Sequence, residues 1–313
     1  MNPFAYTHSS ISGSHTVALT TIPGVEGLSG QRRGETVQVS PGTMDALLKA
    51  NAAIDETRAV LRYGSGNQSH DIWATNGESF RRTLAGRYLK DTHPDKSDVE
   101  VAMTLKAGNC GEMAAVNAAL IAYKGIDQPV SVMSAQDMDH SFVKVGDERV
   151  NSNVVISDAW PLFGRADLAS NFALSQQYGA THVYPPGATD HQRANAIRQA
   201  PEMPSEHVNE AYHHVLKANN KQHMINTPEA YNAEGAMKLM EGKVYSQMTA
   251  AKDISQRYQG EDSQGQQHNI GHEVSRERYN DAMQRLQHNN VVYMLDDDED
   301  ESDHDHYDRM DLS

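Results

Sequence analysis

One cysteine, one histidine and one aspartate stand where elements of secondary structure are expected to begin or end. Cys110, the only cysteine in 313 residues, lies in Gly108-Asn109-Cys110-Gly111-Glu112-Met113-Ala114, where a glycine-bounded turn hands over to an apolar helix. His140 opens an alternating run, Asp139-His140-Ser141-Phe142-Val143-Lys144-Val145, and Asp158 closes another in Val154-Val155-Ile156-Ser157-Asp158-Ala159-Trp160-Pro161. A cysteine nucleophile needs a base within hydrogen-bond reach and a third group that orients the base. Cys110, His140 and Asp158 supply these types in that order. The order alone discriminates little, because 16 histidines and 42 acidic residues make some such order nearly unavoidable. The placements carry more: a thiol at a helix start, an imidazole at a strand start and a carboxylate at a strand end.

Those three elements can be read from spacing. Met113, Val116, Leu120 and Tyr123 recur at helical intervals, and alanines at 114, 115, 118, 119 and 122 make the segment apolar nearly all round, the pattern of a buried helix. A thiol in its first turn faces unpaired backbone N–H groups and the positive end of the helix dipole, which favour thiolate. The same amides can bind an oxyanion. The Cys110 N–H is the candidate donor, Asn109 is either a helper or simply the helix N-cap, and Trp160 is expected to pack as a lid over the imidazole. Val130 to Met133, Ser141 to Val145 and Val154 to Ile156 read as three short strands. Their connections are too short for parallel crossovers, so the meander is antiparallel.

The rest of the chain divides by composition. Residues 1–40 are rich in Ser, Thr and Gly and lack a sustained period, so they read as a disordered leader or a secretion signal. Packing helices precede Cys110: one carrying Met44, Leu47, Leu48 and Ile54, a second with Phe80, Leu84 and Tyr88, a third with Val99, Ala102 and Met103, and Tyr63 to His70 reads as a loop. Together 41–187 form the cysteine-dependent core. From 188 to 295 Gln, Asn, His and Ala dominate. Val208, Ala211, Tyr212, Val215 and Leu216 form one helical stripe, Met237, Met240, Val244, Ala251, Ile254 and Tyr258 a second at near-heptad spacing, and Tyr279, Ala282, Met283 and Leu286 a last helix, so this part reads as a helical module. Residues 296–313 are an acidic, solvated tail.

Composition narrows the classes. Net charge is −15, of which residues 296–313, with ten acids and one arginine, hold −9. The remainder is mildly acidic, unlike the basic footprint of a nucleic-acid binder. One cysteine excludes an intramolecular disulfide framework and a Cys-based zinc site. No run reaches the ~18 apolar residues of a membrane span, and no secretory signal peptide is recognisable. The pairs His213-His214 and His304-Asp305-His306 raise a metal site, but neighbouring helical residues point about 100° apart and cannot easily share an ion. No cofactor or functional metal is expected.

The strings Gly108-Asn109-Cys110-Gly111-Glu112, Asp139-His140-Ser141-Phe142-Val143 and Val154 to Pro161 resemble the core of the transglutaminase-like branch of the papain-like cysteine enzymes, which bacterial effector deamidases and proteases share. The resemblance covers about residues 105–165. It implies an α+β fold in which a nucleophile helix packs on a small antiparallel sheet, here followed by the α-helical module. It implies a Cys110-His140-Asp158 triad performing acyl transfer on a host protein, by glutamine deamidation or transglutamination. Papain-like proteases carry an oxyanion-hole glutamine a few residues before the cysteine, whereas Leu105-Lys106-Ala107-Gly108-Asn109 has none, which disfavours peptide hydrolysis. With the Ser-rich start it implies delivery by a bacterial type III or similar secretion system into a host cytoplasm, with the C-terminal helices recognising the target. The alternatives are a papain-like cysteine protease, and a non-enzymatic effector that binds a host partner through those helices and keeps Cys110 as packing.

Overall fold

The computed structural model describes residues 16–151, 153–240 and 242–296. In chain order the elements are β1 (Thr16–Ala18), β2 (Thr36–Gln38), α1 (Pro41–Val60), α2 (Ser69–Ala74), α3 (Glu78–Thr92), α4 (Asp98–Leu105), α5 (Cys110–Tyr123), β3 (Val130–Ala135), β4 (Ser141–Val145), β5 (Val155–Ser157), β6 (Asp167–Leu168), β7 (Tyr178–Tyr184), α6 (His191–Gln199), α7 (Ser205–Ala218), α8 (Ala233–Met240), β8 (Arg257–Glu261), β9 (Gln267–Ile270), β10 (Glu273–Ser275) and α9 (Arg276–Asp296). This is an α+β arrangement of helices around small sheets. No helix among the described residues is long and apolar enough to cross a membrane.

Helix α5 is the axis of the core. Its largely apolar sequence is accommodated because β3 and β4 cover one side and α1 and α4 cover others, so Met113, Val116, Leu120 and Ile121 are all fully buried. The main sheet runs in the order β6-β5-β4-β3-β7, and every neighbouring pair is antiparallel. One polar residue interrupts the apolar helix. Asn117 lies two turns beyond Cys110 and therefore on the same face, and its Nδ2 donates to Ser157 Oγ at 2.8 Å. That bond ties α5 to the end of β5, one residue before Asp158.

Three expectations are corrected. Residues 16–40 are structured: Val17 pairs with Val274 in an antiparallel ladder, Val37 with Tyr258 in a parallel one, and Leu19, Ile22 and Val25 are buried beside Phe163, Ile254 and Val274. These strands are three residues long, each with a partner more than 200 positions away, so no local period announces them. The first 15 residues of the expected leader lie outside the described residues. Residues 188–295 are not a separate helical module, because β8 and β10 pair with the N-terminal strands and Tyr184, just before the expected boundary, pairs with Val130. The heptad stripe is not one helix: α8 stops at Met240, Gly242 adopts φ +76°, and 243–256 contain no helix, Ala173 N–H donating to Ala250 O at 2.9 Å. Ala251, Ile254 and Tyr258 are buried as expected, by threading past the core. The acidic tail beyond 296 lies outside the described residues.

The last helix does form, and α7 buries Val208, Ala211, Tyr212 and Leu216 against α3, with Phe80 and Tyr212 edge to face at 6.2 Å. His213 and His214 diverge. His213 Nε2 lies 2.6 Å from Tyr231 Oη, whereas His214 stacks on Tyr88 at 4.6 Å. Among the described residues no group of three or more His, Cys, Asp and Glu side chains is arranged to hold a metal ion.

Candidate active site

The turn before Cys110 is built by close backbone contacts. Gly108 N–H donates to Gly64 O at 3.2 Å, and a side chain at Gly108 would meet Glu112 Cβ at 2.4 Å. Asn109 is the N-cap residue of α5. Glu112 Oε2 accepts from Asn109 N at 2.8 Å, and its Oε1 accepts from Arg87 of α3 at 2.7 Å. Glu112 thus satisfies one of the orphan amides at the helix start and fixes where Cys110 sits.

The sheet brings the other two residues to the same end. His140 immediately precedes β4 and Asp158 immediately follows β5, and the antiparallel register Val143 with Ser157 makes these ends adjacent. His140 Nε2 and Asp158 Oδ2 are 2.7 Å apart, and both residues are 2% exposed, so water competes little for this bond. A carboxylate only accepts, so Nε2 carries the proton. Asp158 Oδ1 accepts from Trp160 N at 3.1 Å, which fixes the carboxylate. His140 Nδ1 is buried without a hydrogen-bond partner among the described residues. Cys110 is near enough to act on the charge of the imidazole.

Burial opposes a charge on His140, but the Asp158 carboxylate and, next, Cys110 outweigh it, and the imidazole is pushed up to about 10. The linkage follows. An unfolded histidine titrates near ~6.5, so this stabilisation is fully present below that value and is lost as pH rises through about 10. The stability gap between the protein and its His140→Gln variant should therefore shrink from pH 7 to pH 10. Urea-unfolding midpoints of both proteins across that range test this, and a constant gap refutes it.

Trp160 packs beside the imidazole, ring centroids 5.1 Å apart and planes tilted by 51°. Its Nε1 also donates to Ser65 Oγ at 3.2 Å and to Asn67 Oδ1 at 3.0 Å, and Tyr245 packs edge-on against its ring. These partners went unrecognised in the sequence, where Tyr63 to His70 read only as a loop. A signal was there in Gly64-Ser65-Gly66-Asn67. Gly64 adopts φ +77°, and a side chain there would strike the Asp71 carboxylate at 2.4 Å. Tyr245 arrives because the segment after α8 runs beside this loop, Tyr245 N donating to Asn67 O at 2.9 Å.

Cys110 lines a cleft of about 160 Å³ together with the apolar Phe80, Leu84 and Met240, the polar Asn67, Asn109 and Tyr245, and the charged Arg87, Lys243 and Asp139. No protein-family model matches the chain, and comparison with curated proteins and with solved structures gives no match.

Proposed function

We propose that the protein is a cysteine-nucleophile acyltransferase acting on the carboxamide of a protein glutamine, by deamidation or transglutamination. The observation that carries this reading is the buried His140–Asp158 pair, its Nδ1 unpartnered among the described residues and Cys110, on the first turn of α5, near enough to act on its charge. The nucleophile helix lying on a small antiparallel sheet is the layout the papain-like and transglutaminase-like resemblance implies, and that resemblance supports the same reaction class.

In this mechanism Cys110 Sγ attacks the amide carbon, and the carbonyl electron pair moves onto oxygen. Collapse of the adduct breaks the C–N bond while His140 gives its proton to the departing ammonia. The acyl-enzyme is resolved by water, giving glutamate, or by a lysine amine, giving an isopeptide bond. Asp158 keeps the imidazole in its working tautomer. The target is a host protein, reached by secretion into the host cytoplasm, and the C-terminal residues that wall the cleft, Met240, Lys243 and Tyr245, contribute to its recognition.

The test compares the protein with Cys110→Ala in a eukaryotic cytosolic extract. Peptide mass spectrometry should find glutamine-to-glutamate conversion or a glutamine–lysine crosslink at a discrete site with the native protein only. Equal modification by both proteins overturns the mechanism. A native cysteine that resists iodoacetamide until the chain is denatured favours the binding-protein alternative instead.

A further inference from the structure

An acyl-transfer site must hold the oxygen that becomes negative when sulfur attacks. Two side-chain amides face the Cys110 cleft, Asn67 and Asn109. Their orientations are not equally determined. The single side-chain neighbour of Asn109's amide, Ser65 Oγ at 3.2 Å, can donate or accept, so it does not say which end of that amide faces the cleft. The Asn67 amide has no such freedom. The atom 3.0 Å from Trp160 Nε1 must be an acceptor, since an indole N–H only donates, and is therefore Oδ1. Ser65 Oγ lies 2.6 Å from the same oxygen.

With the carbonyl end held on the Trp160 side, Nδ2 is left as a donor with no partner among the described residues. The backbone is held too. Asn67 O accepts from Tyr245 N at 2.9 Å, and the loop carrying it lies against the turn before Cys110 through the bond from Gly108 to Gly64. Such a donor is oriented before substrate arrives, which is the condition for stabilising developing charge without reorganisation.

We infer that Asn67 is a catalytic residue, its Nδ2–H donating to the oxyanion formed when Cys110 attacks an acyl carbonyl. The inference rests on the reading of Cys110 as nucleophile. Asn67 would share the oxyanion with the Cys110 backbone N–H. It would supply from a loop far upstream the amide that the residues just before Cys110 do not offer. The expectation that peptide hydrolysis is disfavoured for want of that amide loses its basis.

Two reagents separate this role from a structural one. p-Nitrophenyl acetate acylates sulfur through a tetrahedral oxyanion and releases p-nitrophenolate, whereas iodoacetamide alkylates the same sulfur at a saturated carbon with loss of iodide and forms no oxyanion. The ratio of the two rate constants cancels changes in the thiolate population. In Asn67→Ala, and in Asn67→Asp, which keeps an acceptor for Trp160 and Ser65 but has no donor, the ratio should fall about 10²-fold. An unchanged ratio in both variants overturns the inference and leaves the nucleophile standing. A full-length native protein that reacts with neither reagent, or ester cleavage unaffected in Cys110→Ala, overturns the nucleophile reading and this inference with it.

Discussion

Replacing Cys110 by alanine should abolish acyl transfer while the protein stays folded, and replacing His140 by alanine should cost nearly as much. Residues that act as one unit are each worth about 10⁴–10⁶ in rate, because losing any one disables the others. The Cys110 variant should fold because alanine is the best helix former, and the residue it replaces is only partly buried at the first position of α5. The His140 variant leaves Asp158 buried without its imidazole, so it should unfold at lower urea as well as losing turnover. Asp158→Asn should lose less turnover than His140→Ala, since an amide can still hold the ring while no longer supporting its charge. The pH profile is a further readout. With the imidazole pushed up to about 10, the alkaline limb of acyl transfer should fall near that value rather than near the ordinary ~6.5 of histidine. Turnover retained by Cys110→Ala, or an alkaline limb near neutrality, would contradict this arrangement of nucleophile and imidazolium.

Much of this site is local in the sequence, and that is why it could be read. Helix α5 announces itself because burial on every side demands an apolar residue at nearly every position. His140 and Asp158 mark strand ends because β4 and β5 are joined by short connections, so neighbours in sequence are neighbours in the sheet. What could not be read depends on chain segments far apart. The three-residue ladders of Val17 with Val274 and Val37 with Tyr258 have no period of their own and exist only because the two ends of the chain meet. The near-heptad run from Met237 to Tyr258 misled for the same reason in reverse. Its apolar residues are buried, but Gly242 ends the helix and the later ones reach the core from a segment without helix. Asn67 and Tyr245 join the site through tertiary contacts alone.

The second large effect is expected at Asp71, which touches none of the three residues above. Its carboxylate is fully buried and accepts from Arg58 at 3.2 Å, from Arg285 of α9 at 2.9 Å and from Ser65 N at 2.7 Å. Burial favours the neutral acid, but the surrounding charges and the Ser65 amide reverse that and hold Asp71 at about 2. The neighbouring His70 is not the source of that charge at neutral pH. Burial, aided by the arginines, pushes His70 down to about 4, so the arginines alone are cationic there. Arg58 in turn donates to the carbonyls of Ala159 and Trp160, the two residues after Asp158, and Ser65 anchors Asn67 and Trp160. Asp71 therefore couples α9 to the loop that carries Asn67 and to the segment after Asp158. Asp71→Asn should leave the buried Arg58 guanidinium without its anion and Arg285 with Asp281 alone, a loss of about 3–5 kcal/mol, which corresponds to a fall in melting temperature of roughly 10 °C for a chain of this size. The surviving folded protein should also alkylate Cys110 more slowly, because the Asp158 segment is no longer clamped. Acid should act on the native protein through the same cluster. His70 binds its proton more readily when unfolded, so its contribution is full above ~6.5 and is lost as pH falls toward about 4; that of Asp71 is full above ~3.9 and is lost as pH falls toward about 2. A melting temperature for Asp71→Asn within a degree or two of the native protein would mean that α9 is held by its apolar contacts alone, and that the cleft is positioned without it.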